Sequence, residues 1–226
     1  MVMIAFSPED HERISAAVAK AERNSDGEIV TIVARRSDAY HDVALHYAVL
    51  AMLLVPVLGS VVPQGWIDWG TGLLFGWNAT IGFRTLMILL FVTMALFFLI
   101  VRYALAYQPL RMALTPGRTK SRRVHRRAVE LFRTGCEMKT RGRTGVLLYL
   151  SLAEKRAEIV ADQAIADKVA PDVWGEAMAV LIEEVKAGRP GLGMALAVGK
   201  IGAVLTTVLP PTLDNPNELP DRLLEL

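Results

Sequence analysis

Two long apolar stretches dominate the first half of the chain. Residues 44–62 are nineteen consecutive uncharged positions, and residues 85–101 are seventeen, enclosed by Arg84 and Arg102. At a helical rise of about 1.5 Å per residue, each stretch approaches the ~30 Å thickness of a bilayer core. Buried helices of soluble proteins rarely lose their polar stripe over such a length. The pattern therefore predicts a hairpin of two transmembrane helices.

The segment between the predicted spans differs in charge from the segments outside them. Residues 63–82 contain no Lys or Arg and one acid, and they carry Trp66, Trp69 and Trp77. Indole rings prefer the headgroup level, so we expect these three side chains to act as interface anchors. Basic residues flank the hairpin on its other side, and positive charge is retained in the cytoplasm. We therefore expect a helical hairpin of two spans with both chain ends in the cytoplasm.

The remainder of the chain alternates helix and strand patterns. The Ser-Pro-Glu-Asp sequence at residues 7–10 predicts a helix start, followed by apolar residues at a 3.6-residue period. Residues 28–35 are rich in β-branched side chains and predict a strand covered on both faces. One helix and one strand are too few to bury a core, so their partners must follow the hairpin.

The second half of the chain supplies those partners. Residues 120–133 predict a helix with one apolar and one arginine-rich face. Residues 145–152 are a continuous apolar run, typical of a buried strand, and residues 156–162 predict its hairpin partner. Further helices are predicted over residues 163–169, 173–187 and 192–209. The Pro-rich tail that follows is expected to be extended, with a short amphipathic end.

The last predicted helix, at residues 192–209, is apolar enough to be considered as a third span. Its centre carries Lys200, and a lysine in the middle of a span costs about 2.5–3.5 kcal/mol. We therefore expect this helix to pack on the sheet instead. The predicted organisation assigns residues 1–43 and 107–209 to one α/β domain, 44–106 to the hairpin and 210–226 to the tail.

Composition and charge narrow the class of protein. The 226 residues are 53% apolar, which suits a membrane protein with one modest soluble domain. The single cysteine, Cys136, excludes an internal disulfide and fits a reducing compartment. The net charge of +2 is unevenly distributed, because residues 102–143 hold twelve Lys or Arg but only two acids.

A cluster of cations follows the second predicted span. Its members, here called the basic patch, are Arg118, Lys120, Arg122, Arg123, Arg126 and Arg127. A nucleic-acid surface would interleave aromatic side chains, which this stretch lacks. Cations next to a span attract anionic lipid headgroups by about 1 kcal/mol each. We therefore expect the basic patch to bind membrane lipid and no nucleic acid. The alternative is that these cations only set the orientation of the spans and bind nothing.

Catalytic candidates are few. The chain has no Walker sequence and no nucleophile elbow, and its four histidines lack zinc-ligand spacing. Glu28, Asp162 and Asp167 lie at predicted strand ends, where they could converge as a weak metal site. The simpler interpretation is that these three acids are solvated residues at the ends of strands and bind no metal. The sequence therefore predicts no catalytic residue and no cofactor.

Several blocks of the chain resemble the TPM-domain family. They are residues 143–148 and the following EKRAEIVAD, then Trp174, the segment AGRPGLGMALAVGKIGAVLTTVLPP and the closing NELPDRLLEL. The chain is similar to bacterial membrane proteins whose TPM domain is split by a transmembrane hairpin. The resemblance covers most of residues 7–36 and 118–226. It implies an α/β/α sandwich around a small mixed sheet.

The resemblance implies two alternative functions. Relatives include a thylakoid lumen protein linked to acid phosphatase activity and a receptor-auxiliary protein at animal synapses, and some bind calcium near strand ends. Where many relatives carry acids, this chain has Lys139, Arg141 and Arg143, which oppose a calcium site of about six to eight oxygens. We therefore expect a non-catalytic interaction or assembly and quality-control module that binds another membrane protein or itself. A weak metal-dependent, acid-phosphatase-like hydrolase is the alternative.

Overall fold

The computed structural model describes residues 6–77, 81–135, 144–212 and 219–226. The first half contains α1 (Pro8–Glu22), β1 (Glu28–Ala34), α2 (His41–Val61), α3 (Gln64–Phe75), α4 (Phe83–Ala104) and α5 (Gln108–Leu114). The second half contains α6 (Gly117–Gly135), β2 (Gly145–Ser151), β3 (Arg156–Ala161), α7 (Gln163–Ala166), a 3₁₀ turn (Pro171–Trp174), α8 (Gly175–Lys186), α9 (Pro190–Val208) and β4 (Leu224–Glu225).

The chain divides into two compact units. The first, here called the sheet unit, combines Met1–Asp38 with Pro116–Leu226, and the second, here called the helical unit, is Ala39–Thr115. The positions Lys139, Arg141, Arg143 and Cys136 lie outside the described residues.

A four-stranded mixed sheet organises the sheet unit. Its strand order is β3-β2-β1-β4, with β1 parallel to both β2 and β4 and with β3 antiparallel to β2. The register of β1 on β2 runs from Glu28 opposite Gly145 to Ala34 opposite Ser151. The predicted mixed α/β class is therefore confirmed, and the N-terminal strand pairs with a strand from the distal half of the chain.

Both faces of the sheet are covered, because the central strands are apolar on both sides. Ile29 and Leu148 belong to a core that also contains residues of α1, α8 and α9. Val30 and Leu147 belong to a second core, shared with Val124, Ala128 and Phe132 of α6. Every residue of β1 and of β2 is buried. This continuous burial explains the unbroken apolar runs in the sequence.

Helix α1 begins as its sequence predicts. The Ser7 hydroxyl accepts from the Asp10 N–H at 3.1 Å, and the Asp10 carboxylate accepts from the Ser7 N–H at 3.2 Å. This reciprocal capping box satisfies two N–H groups that have no partner within the helix. Pro8 occupies the first turn, where a missing N–H has no cost.

The helical unit is built around α2 and α4, which pack against each other. The segment predicted as a loop between the spans differs from expectation, because residues Gln64–Phe75 form α3. Helix α3 ends at Gly76, whose φ of 92° favours glycine. Gly72 lies under the indole of Trp77, where a Cβ would come within 2.8 Å of the ring. Gly72 therefore permits the close approach of the Trp77 ring to the helix.

Two further elements depart from the sequence prediction. Residues Gln108–Leu114 form the short helix α5, which the pattern did not reveal. The amphipathic end of the tail is β4 rather than an isolated piece, since Leu224 and Glu225 pair with Ile32 and Val33 of β1. A two-residue strand has no detectable periodicity, and only the free edge of β1 makes it form.

Gly202 should be essential to the packing of α9 on α1. A Cβ at this position would lie 2.6 Å from the Cβ of Ala21. We expect Gly202→Ala to lower the free energy of unfolding by about 1–3 kcal/mol, measured by denaturant titration of the detergent-solubilised protein.

Gly199 of the same helix provides the matched control, because a Cβ there meets no atom within 4 Å. Gly199→Ala should leave stability unchanged or raise it by up to about 1 kcal/mol through helix propensity. Equal effects of the two substitutions would contradict the close approach of α9 to α1.

Candidate functional site

Helix α6 carries the exposed members of the basic patch on the side opposite its buried residues. Val124, Ala128 and Phe132 recur at four-residue intervals and are buried against the sheet. Arg118, Arg122 and Arg126 also recur at four-residue intervals, and all three are exposed. Residues four apart lie on one side of a helix, so these arginines form a solvent-facing row. The remaining members of the patch are partly buried.

Part of the basic patch is neutralised within the sheet unit. Asp38 accepts from Arg123 at 3.0 Å and from Arg126 at 3.3 Å. Arg127 contacts Glu130 at 3.0 Å. Among the described residues, Arg118, Lys120 and Arg122 form no ion pair. The N-terminal half of α6 therefore has the larger uncompensated positive charge.

A buried polar cluster lies beside the basic patch, where β1 and β2 end. The carboxylate of Glu154 accepts from the Ser151 hydroxyl and, at 3.0 Å, from the Ser37 N–H. The Ser37 hydroxyl and the Tyr149 hydroxyl are 3.0 Å apart. Burial raises the pKa of Tyr149 above its ordinary value, although the Ser37 contact opposes the shift. This cluster holds the chain next to Asp38, at the end of the first segment of the sheet unit.

Sequence reasoning did not identify this cluster. Ser151 and Glu154 are three residues apart in a turn, and their partner Ser37 is more than one hundred positions away. No local motif connects them. The only available signal was an acid in the tight turn between two apolar strands, which is also typical of a solvated turn.

The structure gives each candidate metal ligand a partner within the protein. Glu28 and Asp162 lie at the same end of the sheet, where they accept from the Leu219 N–H at 3.2 Å and the Gly145 N–H at 3.1 Å. Asp167 accepts from the Gln163 amide at 2.7 Å. The described residues contain no group of three or more His, Cys, Asp or Glu that could hold a metal ion. These carboxylates fix strand ends and a short helix.

The three tryptophans predicted as interface anchors all expose their rings. Trp66, Trp69 and Trp77 are 71%, 57% and 73% exposed, respectively. The first two lie on α3 and the third follows its C-terminal glycine. Large aromatic rings are rarely exposed so fully in water-soluble proteins. This arrangement is the one that an interfacial aromatic belt requires.

Three described helices are long and apolar enough to cross a membrane, judged by length and composition. They are α2, α4 and α9. Within the most apolar 18-residue segment of each helix, the buried share is 17% in α2, 0% in α4 and 50% in α9. Helix α9 packs against α1 and α8, and its Lys200 contacts Glu176 at 3.0 Å. The apolar surfaces of α2 and α4 thus remain largely uncovered, whereas half of α9 is used inside the sheet unit.

Loss of Glu154 should destabilise the sheet unit. Its removal leaves the buried Ser151 hydroxyl and the part-buried Ser37 N–H without their acceptor. We expect Glu154→Ala to lower the free energy of unfolding by about 2–3 kcal/mol in denaturant titrations.

Glu176→Ala is the matched control, because this exposed acid forms only a surface pair with Lys200. Its effect should be below about 0.5 kcal/mol. A Glu154 variant as stable as this control would show that the buried cluster contributes nothing.

Comparison with known proteins places the fold but not the family. No family model matches the chain, and no curated protein is significantly similar to it. Among solved structures, the chain is similar to the BA42 protein from the psychrophilic bacterium Bizionia argentinensis, determined by NMR. The TM-score is 0.56 at 17% sequence identity, with 100% of this chain and 99% of the other covered. At this identity the likeness establishes a shared fold and nothing about activity.

Proposed function

We propose that the chain is a membrane-anchored protein of the TPM-domain type. In this proposal α2 and α4 cross the bacterial inner membrane and the sheet unit lies on its cytoplasmic face. The sheet unit acts as a non-catalytic interaction or assembly and quality-control module, and it engages another membrane protein or a second copy of itself.

The observation that carries the proposal is the uncovered apolar surface of α4. None of its 22 residues is buried, and Phe91 and Ile88 are 72% and 55% exposed. A continuous apolar surface of this kind marks a membrane or protein interaction site. Helices satisfy all their backbone hydrogen bonds internally, so lipid is a suitable environment for the α2–α4 pair.

The point at which the helical unit is inserted into the sheet unit is compatible with a membrane anchor, because the insertion does not interrupt the sheet. The chain leaves the sheet unit after Asp38 and re-enters it at Pro116. The strands on either side of this insertion, β1 and β2, are neighbours in the sheet. An insertion between them can therefore supply a membrane anchor while the core stays intact.

The basic patch supports a cytoplasmic, lipid-facing placement. Helix α6 begins thirteen positions after the end of α4, so its N-terminal cations follow the proposed span closely along the chain. Arg118 and Arg122 are exposed and lack an internal counter-charge among the described residues. Anionic headgroups are the partners that such cations attract.

The alternative of a weak metal-dependent phosphatase receives no specific support. Glu28 and Asp162 are both buried and both accept from backbone N–H groups. The test is an assay of the purified protein with a generic phosphoester, with and without a divalent metal. Metal-dependent turnover that is abolished by Glu28→Gln or Asp162→Asn would show that the protein is a hydrolase and would contradict the proposal of a non-catalytic module.

A cysteine at Gln64, which begins α3, should report the topology. In intact cells expressing a Cys136→Ser, Gln64→Cys variant, we expect labelling by a membrane-impermeant maleimide. The predicted topology places this residue outside and the native cysteine inside.

The matched control is the chain with its native Cys136, which should be labelled only after the membrane is permeabilised. Labelling of Cys136 in intact cells, with Gln64→Cys protected, would reverse the orientation. Recovery of the chain in the soluble fraction would reject the membrane anchor altogether.

Neutralising the exposed row of α6 should weaken its contact with anionic lipid. In nanodiscs containing phosphatidylglycerol, we expect α6 amides to exchange more slowly than in phosphatidylcholine nanodiscs. The triple substitution of Arg118, Arg122 and Arg126 by Gln should remove this difference, because each cation contributes about 1 kcal/mol.

High salt should also remove the difference, since headgroup attraction is screened within about 10 Å at 0.1 M. Substitution of the exposed Lys186 on α8 is the control and should leave the exchange of α6 unchanged. Identical exchange in the two lipids for the unaltered protein would mean that the patch is a topology signal only.

A further inference from the structure

Strand β3 forms one edge of the sheet, and none of the described strands lies beyond it. The Asp162 N–H, just after β3, donates to the Gly145 carbonyl of the antiparallel strand β2 at 2.9 Å. In such a pair, successive residues direct their N–H and C=O groups alternately toward and away from the neighbouring strand. The backbone groups of Ala157, Ile159 and Ala161 therefore point away from β2. They have no hydrogen-bond partner among the described residues.

The other side of β2 confirms this alternation. The Thr144 carbonyl accepts from the Glu28 N–H at 3.1 Å, and the Leu152 N–H donates to the Ala34 carbonyl at 3.0 Å. Even-numbered backbone groups along β2 thus face β1, and odd-numbered groups face β3. The hydrogen bonds of both neighbours agree, so the outer edge of β3 is a row of free donors and acceptors.

A free edge of this kind is a template for another extended chain. Proteins commonly protect an edge strand with a proline or a bulge. The sequence of β3, RAEIVA, contains no proline, and its register on β2 is unbroken over all six residues. The opposite edge of the sheet is covered, because β4 pairs with β1. An additional strand therefore fits best beside β3.

The face of β3 that lies under α6 is positively charged. His125 of α6 contacts Glu158 of β3 at 3.3 Å, so this side of the helix lies along the strand. Arg118 and Arg122 precede His125 by seven and three residues, and they therefore lie on the same side of α6. Arg156 adds a cation from the strand itself.

These three arginines, here called the edge arginines, have no counter-charge among the described residues. Arg156 lies next to the start of α6, since a Cβ on Gly117 would come within 3.3 Å of its Nη2. Glu158, the one acid of β3, contacts His125 instead. The charge along this face of the edge therefore favours an acidic partner.

The other face of β3 is apolar. Ile159 and Ala161 are partly buried there, and they pack against the same core as Met178 and Ile182 of α8. Successive side chains of a strand point to opposite faces. A strand added to this edge would thus present every second side chain to the edge arginines and the others to apolar surface.

We propose that the free edge of β3 binds an extended segment of a partner protein in which acidic and apolar side chains alternate. The backbone of the segment pairs with the outward-facing groups of β3, and its acids face the edge arginines. A second copy of the chain is a poorer occupant, because two paired β3 edges would bring two arginine-rich helices together. The inference rests on the proposed interaction module and names the chemistry of its partner.

A synthetic peptide, Glu-Val-Glu-Val-Glu-Val-Glu with blocked ends, serves as the probe on the full chain in non-ionic detergent micelles. With about 1 mM peptide, hydrogen exchange followed by mass spectrometry should show slower exchange of residues 156–162. Residues 224–226, at the covered edge, should exchange at an unchanged rate. A peptide with Lys in place of Glu should give no protection, and neither should one whose alternate amides are N-methylated.

Two substitutions separate backbone pairing from charge. Ala161→Pro removes an N–H that points away from β2, so the pairing of β2 with β3 is retained. It should weaken binding of a fluorescently labelled probe about five-fold, measured by anisotropy. Arg156→Gln should weaken binding about two- to five-fold. Lys20→Gln, which removes an exposed cation of α1, is the matched control and should have no effect.

Unchanged exchange of β2 amides should show that both variants are folded, and the N-methylated peptide tests backbone pairing without altering the protein. Equal protection by the Lys peptide or by the N-methylated peptide would overturn the proposal. So would equal protection by a peptide with the sequence of residues 156–161, which would make a second copy the partner.

The basic patch alone could also attract an acidic peptide, as it would attract lipid. Binding that the triple substitution of Arg118, Arg122 and Arg126 abolishes, but that neither Arg156→Gln nor Ala161→Pro weakens, would show this and overturn pairing at the edge. Failure of peptide binding would leave the membrane anchor and the non-catalytic role in place, because fractionation and the phosphoester assay test those separately.

Discussion

The parallel pairing of β1 with β2 is the interaction on which the sheet unit depends. The two strands are neighbours over their full length, from Glu28 opposite Gly145 to Ala34 opposite Ser151, although the whole helical unit separates them in sequence. The entropy of closing a loop grows slowly, by about 0.6 kcal/mol for each doubling of length. The burial of both strands on both faces opposes this cost. A large insertion is therefore tolerated at this connection.

Acidic side chains then fix the ends of those strands. Glu22 accepts from the N–H of Ile29, Asp162 from that of Gly145, and Glu154 from that of Ser37. A carboxylate that accepts from a backbone N–H satisfies a donor that the sheet leaves unpaired, and such charged hydrogen bonds are stronger than neutral ones. Acids near strand ends are thus explained without a metal. The exception is Glu22, whose second oxygen has no donor and whose neighbours are also acids.

The two units differ in how far they bury their apolar side chains. The sheet unit buries its apolar residues within itself, including Ile14, Leu148 and Ile201. The helical unit exposes most of its large apolar residues, and its longest helix, α4, has no buried residue. One chain thus combines a water-compatible core with a surface compatible with lipid, and the proposed anchoring follows from that contrast.

The sequence by itself determined the elements whose signal is local. Unbroken apolar runs identified β1, β2 and the two helices at α2 and α4, and a capping box identified the start of α1. Only the tertiary structure decided what depends on distant partners. The strand β4 forms because β1 has a free edge, and α3 forms in the segment between the spans, which the sequence predicted as a loop. The Ser37 partner of Glu154 likewise comes from a separate segment, since hydrogen bonds depend on distance in space, which no local pattern encodes.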